Sequence, residues 1–207
     1  MNFYQLVVKE NVTVVDRSQK FQSDSEIRFF LNELFNTAIE AVDPALYLPD
    51  HLPRTPTGRT IVVGAGKAAS KMLACIEGRW QGALEGLVIV PYGYGQKCDG
   101  VRIIEAGHPI PDLAGNIASQ QILELVTGAG RHDLVIFLIS GGTSSLLSLP
   151  LPGLTADDKA QIHNKLLKCG ADIAEINCVR KHLSAVKGGK LANKLLKGLL
   201  QLFMCSL

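Results

Sequence analysis

Apolar residues Ile27, Phe30, Leu31, Leu34, Phe35, Ala38 and Val42 recur at the three- and four-residue spacing of one helix face, from a cap at Ser25 or Ser23 to the break at Asp43-Pro44. That pattern predicts an amphipathic helix. Residues 43–59 hold four prolines and read as a loop feeding the first buried strand. The pattern then changes: four short β-rich runs, 60–63, 87–90, 102–105 and 134–139, alternate with helical stretches over about 67–79, 113–127, 156–174 and 178–198. Continuous apolar strands between helices imply a mostly parallel sheet covered on both faces, hence an α/β protein of three layers, α/β/α. Residues 1–24 carry strand-like fragments, "YQLVV" and "VTVV", followed by a polar stretch without period. They are read as a poorly anchored leader.

Composition narrows the function classes. A chain of 207 residues, 47% of them hydrophobic, can fill a large core. Its net charge is +2, with lysines and arginines spread along the chain, so it lacks the electrostatic footprint of a nucleic-acid binder. A small or anionic ligand is the more natural partner. Five cysteines, Cys75, Cys98, Cys169, Cys178 and Cys205, are odd in number and contain no C-x-x-C pair, which argues against a disulfide framework or a zinc site and for a cytoplasmic protein. There is no signal-like N-terminus, and no uncharged apolar run reaches the roughly 18 residues of a membrane span.

Each apolar run ends in a segment rich in glycine and polar groups: "GAGKAAS", "PYGYGQK", "EAGHPIPD" and "SGGTSS". Ligands of an open parallel sheet bind beyond the carboxyl ends of its strands, where these segments fall. In the first, a Walker phosphate loop fails, because Ile61 stands five residues before Gly66 and Ala68 follows Lys67. A dinucleotide fingerprint, Gly64-x-Gly66-x-x-Ala69, fits better, but the next strand runs into "VIVPYGYG" with no acid for a ribose. What remains is a strand-to-helix turn whose N–H groups can hold an anion, with Lys67 in the first helical turn as an added charge or as a solvated surface lysine. In the second, Ser140, Gly141, Gly142, Thr143, Ser144 and Ser145 follow a buried strand and can form a nest of donors for a phosphate or carboxylate, or an ordinary tight turn. His108 is a candidate base or hydrogen-bond donor, and Asp112 a ligand contact or a helix cap. Arg180 and Lys187, seven apart on what reads as one long helix, make an anion-facing stripe or a solvated face. No acidic cluster suggests a metal cage.

Taken in order and spacing, "VVGAGKAA", "EAGHPIPD", "ISGGTSSLL" and "INCVRKHLSAVKGGKLA" resemble the N-terminal domain of the MOFRL-type glycerate 2-kinases, from about Glu26 to Ala192. The resemblance implies a Rossmann-like domain, residues 25–192, and an ATP- and Mg2+-dependent transferase that phosphorylates D-glycerate to 2-phosphoglycerate. It implies a catalytic role for Lys67. It also implies substrate or phosphate contacts from the Gly64–Gly66 turn, His108, Asp112, the Ser140–Ser145 loop, Arg180 and Lys187. Members of the family also carry the label hydroxypyruvate reductase, which would require a nicotinamide cofactor; the missing ribose acid argues against it. A remnant domain that binds a small anion or nucleotide without turnover is the other alternative.

This chain departs from the family in two places. Thr143 and Ser145 stand where its S-G-G-G-S-A-L-L loop has glycine and alanine. After Ala192 the family continues into an acidic loop and the C-terminal MOFRL domain, whereas this sequence runs "NKLLKGLLQLFMCSL". Residues 193–207 read as an atypical apolar tail extending the last helix, with Leu195, Leu196, Leu199, Leu200, Leu202, Phe203, Met204 and Leu207 in a patch that no later strand receives. The expectation is an incomplete, inactive family member whose exposed tail favours a homo-oligomer.

Overall fold

The computed structural model describes residues 23–195 and 201–206. The leader over 1–24 lies almost wholly outside them. The chain divides into two compact units, residues up to Val42 and Asp43 onward. The first contains α1 (Asp24–Ala41), capped by Ser23 rather than Ser25: the Ser23 hydroxyl accepts from the Glu26 N–H at 3.3 Å.

In the second unit α2 (Pro44–Tyr47) and a short 3-10 turn precede β1 (Thr60–Ala65), α3 (Ala69–Glu77), β2 (Leu84–Pro91) and β3 (Arg102–Ala106). There follow α4 (Leu113–Thr127), β4 (Leu134–Ile139), α5 (Thr143–Leu146), α6 (Ala156–Lys168), α7 (Ile173–His182), α8 (Lys190–Leu195) and β5 (Gln201–Ser206). The sheet is parallel throughout, in the order β3-β2-β1-β4-β5. Strand alternation sorts the core onto its two faces. Ile61, Val63, Leu87, Ile89, Val135 and Phe137 pack with Ala118, Ile122 and Val126 of α4. Val62, Val88, Val90, Leu134, Ile136 and Leu138 pack with Met72, Leu73 and Ile76 of α3. The expected three layers are thus present.

Strand order reverses between β1 and β4, because the chain runs outward through β2 and β3 and then returns to start again on the other side of β1. At such a switch point the loops leave the sheet in opposite directions and open a crevice at the carboxyl edge.

The C-terminal third differs from the expected pattern in three ways. The helix expected over 156–174 ends at Lys168, since Gly170 adopts φ +78° and a capping box of Asp172 and Glu175 starts α7. The helix expected over 178–198 is broken too: α7 ends at His182, and Gly188 and Gly189 take φ +64° and +79° before α8. Finally, the tail does have a strand. Residues 201–206 form β5, parallel to β4 from Leu134 opposite Gln201 to Ile139 opposite Ser206. The apolar run over 202–205 has strand composition, but the leucine spacing of the tail imitates a helix. Leu196, Leu199, Leu200 and Leu207 lie outside the described residues.

The opposite, amino edge of the sheet is tied by Arg59 and Asp133. Arg59 donates its backbone N–H to Asp133 Oδ1 at 2.7 Å and its guanidinium to Asp133 Oδ2 at 2.8 Å, to Glu85 at 3.0 Å and to the Gly128 carbonyl at 2.9 Å. Burial pushes the Asp133 carboxyl pKa up, but the N–H groups of Gly130 and Arg59 and the adjacent guanidinium outweigh it and hold the pKa below its ordinary value. Such a group stabilises the fold above its unfolded pKa of about 4, and the contribution is lost as pH falls through the lower folded value. Asp133→Asn is therefore expected to lower stability by about 1–3 kcal/mol at pH 7. Denaturant titrations should show the gap between the two proteins closing below about pH 4; a constant gap down to pH 3 would contradict this account.

Candidate functional site

At the switch point β1 and β4 approach too closely for side chains. A Cβ on Gly64 would collide with the Leu138 carbonyl, and one on Gly66, held at φ +134°, with the Ser140 hydroxyl. The two loops then bond to each other. Lys67 N–H donates to the Gly141 carbonyl at 2.8 Å, Ala68 N–H to Ser140 Oγ at 3.0 Å, and Ser140 N–H to the Ala65 carbonyl at 3.2 Å. The Thr143 hydroxyl donates to the Ala65 carbonyl, so the residue that replaces the family's glycine fastens the two strands together.

This geometry corrects the reading of the first loop. The amides of Gly66, Lys67, Ala68 and Ala69 are engaged within the protein, that of Gly66 with the Ile89 carbonyl at 3.0 Å, and so are not open to an anion. Open donors lie in the second loop instead: the N–H groups of Gly141, Gly142 and Ser144 have no acceptor among the described residues. A Cβ at Gly141 would meet nothing within 4 Å, so the backbone there is accessible. Lys67 precedes α3 and is not part of its first turn. Its ammonium makes no ion pair among the described residues and lines an open groove of about 460 Å³ with Ser70, Lys71, Tyr94 and Gln96.

His108 joins the second loop from the end of β3. Ser145 Oγ lies 2.6 Å from His108 Nδ1 and 3.0 Å from the Gly142 carbonyl; when its proton goes to Gly142 the ring donates from Nδ1 and Nε2 keeps its lone pair. The ring lies against Gly142, whose missing Cβ would stand 3.2 Å from Cε1. Asp112, by contrast, is a cap. One oxygen accepts from Gly115 N–H at 2.9 Å and the other from the Tyr92 hydroxyl at 2.7 Å. Burial raises its pKa, but these hydrogen bonds outweigh it and keep the carboxyl below its usual range. It shapes the His108 loop and offers no free carboxylate.

Arg180 and Lys187 do converge, though not on one helix. Arg180 lies near the end of α7 and reaches Ser144 Oγ at 3.4 Å; Lys187, in the segment before α8, donates to the Ser144 carbonyl and to its hydroxyl at 3.1 Å. The sequence reading missed two further members, Lys159 and His163, whose signal was their four-residue spacing on α6. Lys159 donates to Ser148 Oγ at 2.7 Å. Burial, then Lys159 and Arg180, pushes the Lys187 pKa down to about 7. Burial and Arg180 bring Lys159 to about 8. His163 is likewise lowered, by burial first and then by Arg180 and Lys187.

A domain of unknown function, DUF4147, matches residues 30–206. The chain belongs to this family. The DUF4147 domain is the N-terminal domain of the glycerate 2-kinase family, in agreement with the resemblance carried by the four loops. The match continues through β5, beyond the Ala192 limit drawn from the motifs. This DUF4147 chain is 43% identical over 171 residues to an Agrobacterium vitis protein provisionally named a hydroxypyruvate reductase, covering 82% of this chain and 39% of that one. It is 42% identical over 164 residues to the D-glycerate 2-kinase of Thermotoga maritima, covering 78% of this chain and 39% of the relative. A solved glycerate kinase structure from Thermotoga maritima matches with a TM-score of 0.76 at 36% identity, over 88% of this chain and 44% of that one. The chain therefore spans about two fifths of the length of the relatives it matches. No helix among the described residues is long and apolar enough to cross a membrane.

Two consequences are measurable. Gly66→Ala should lower unfolding free energy by about 2–4 kcal/mol, since both its backbone conformation and the β1–β4 contact exclude a Cβ; urea unfolding with an unchanged midpoint would contradict that. Lys187 sets a pH dependence of the same sign as that of Asp133 but in an alkaline window. Its folded pKa lies below its unfolded value of about 10.4, so between about pH 7 and 10 the unfolded chain holds more protons and stability rises with pH. Lys187→Met should flatten that rise in Tm, and an equal slope in both proteins would count against it.

Proposed function

We propose that this domain forms one wall of the cleft in which a glycerate 2-kinase transfers phosphate from ATP to D-glycerate, giving 2-phosphoglycerate. The observation that carries the reading is the meeting of Arg180 and Lys187 at Ser144, beside the open amides of Gly141, Gly142 and Ser144 and next to the loop that bears Lys67. Phosphoryl transfer asks a protein for positioning and charge neutralisation more than for covalent chemistry, and this edge supplies both.

On this reading the 2-hydroxyl oxygen of glycerate forms a bond to the γ-phosphorus as the bond to the β–γ bridging oxygen breaks, and ADP leaves with the electron pair. His108 Nε2 accepts the hydroxyl proton, oriented by its Nδ1–H bond to Ser145. The loop amides and Lys67 hold the phosphoryl oxygens as charge moves onto the leaving group. Among the described residues no three His, Cys, Asp or Glu side chains converge on one point, and no step is derived through the Mg2+ implied by the family. The second wall belongs to the part of the relatives that this chain does not span, and the 207-residue chain alone binds without turning over.

A coupled assay of ADP release tests this. The chain alone should show no D-glycerate-dependent ADP, whereas a fusion to the complementary part of the Thermotoga maritima relative should turn over. Lys67→Ala in that fusion should reduce kcat by about 100-fold or more. Undiminished turnover in a folded Lys67→Ala fusion would defeat the assignment.

A further inference from the structure

Among the described residues the cations around Ser144 and Ser148 have no ion-pair partner. Lys159 and His163 face the cluster from α6, Arg180 from α7, and Lys187 from the segment after it. Carboxylates exist on both helices but are engaged elsewhere: Asp158 accepts from Thr155, Asp157 from Gln161, and Asp172 and Glu175 form the α7 capping box. Among the described residues none of Lys159, Arg180 and Lys187 is in an ion pair. His163 Nδ1 is buried without a hydrogen-bond partner among them. Half-buried like charges pressed together cost free energy unless something neutralises them, and a buried ring nitrogen with no partner marks an unfilled contact.

We propose that Lys159, Arg180, Lys187 and the Ser144 hydroxyl form a receptor for a doubly charged tetrahedral oxyanion, a phosphate group, with His163 at its border. A dianion suits three cations better than a carboxylate does, because a single negative charge would leave most of the repulsion in place. The donors come from four segments, α5, α6, α7 and the stretch beyond, more than a single carboxylate's two oxygens need. The proposal rests on the reading of this edge as a phosphate-handling surface and assigns Lys159 and His163 to it.

Binding is coupled to protons. Burial and the neighbouring cations bring the Lys187 pKa to about 7, so it is only partly protonated near neutral pH in the unliganded domain. Bringing a dianion beside it favours the ammonium, so occupancy draws a proton from solvent and raises the titration of His163.

Sulfate is the probe, since it is a tetrahedral dianion that does not itself titrate in this range. Calorimetry of the 207-residue chain at pH 8, in two buffers of different ionisation enthalpy, should show one site and net uptake of up to about one proton. Lys187→Arg should bind sulfate without that uptake. Lys187→Ala should weaken binding about tenfold or more while circular dichroism remains native. His163 ring resonances should titrate at higher pH with sulfate bound. Competition by ATP or by 2-phosphoglycerate would identify which compound brings the phosphate.

Sulfate binding without proton uptake, native affinity in Lys187→Ala, displacement by neither phosphate compound, or saturation by D-glycerate where sulfate fails to bind would each overturn the proposal. The experiment does not read turnover. An active kinase fusion with no sulfate site contradicts only the receptor, and a sulfate site in an inactive fusion contradicts only the kinase reading.

Discussion

The close approach of β1 to β4 is the constraint on which the rest of the site depends. Because Gly64 and Gly66 have no side chains, the β4 backbone and the Ser140 side chain can close against β1. Once closed, Lys67, Ala68, Ser140 and Thr143 exchange hydrogen bonds across the seam. Those bonds fix where the second loop starts, and so where Gly141 and Gly142 direct their amides, where Ser144 meets Arg180 and Lys187, and where Ser145 receives His108. A side chain at Gly66 would therefore disturb binding groups it never touches.

The same constraint reassigns the work of the two loops. A glycine-rich turn between a strand and a helix is usually expected to cradle an anion with its amides, yet here those amides hold the seam together. The open amides lie one strand over, in the β4 loop, where Arg180 and Lys187 reach Ser144. Lys67 donates its backbone N–H to Gly141 of that loop and lines the groove that reaches Tyr94.

Much of this was legible in the sequence. Buried parallel strands are continuous apolar runs, so the four strands read beforehand were found where expected, and both α4 and β4 have the expected bounds. The C-terminal third was less legible, because Gly170, Gly188 and Gly189 break helices through positive φ values that composition does not reveal. β5 was missed because its apolar residues continue a leucine spacing begun in the preceding helix. Arg180 and Lys187 were paired for a helical register that does not exist; they meet because the chain turns after α7 and returns Lys187 to Ser144. Lys159 and His163 belong to no motif; their four-residue spacing puts them on one face of α6, but only the packing of that helix shows which way the face turns.

The central claim is that the carboxyl ends of β1 and β4 form one wall of a phosphotransfer cleft. Amide chemical shifts of the isotope-labelled chain, recorded while ATP and then D-glycerate are added, test it most directly. Perturbations should cluster at Gly141, Gly142, Ser144 and Lys67 and spread to Arg180 and Lys187, with the amino edge around Arg59 and Asp133 unmoved. Shifts centred on the amino edge, or none at saturating ligand, would contradict the account.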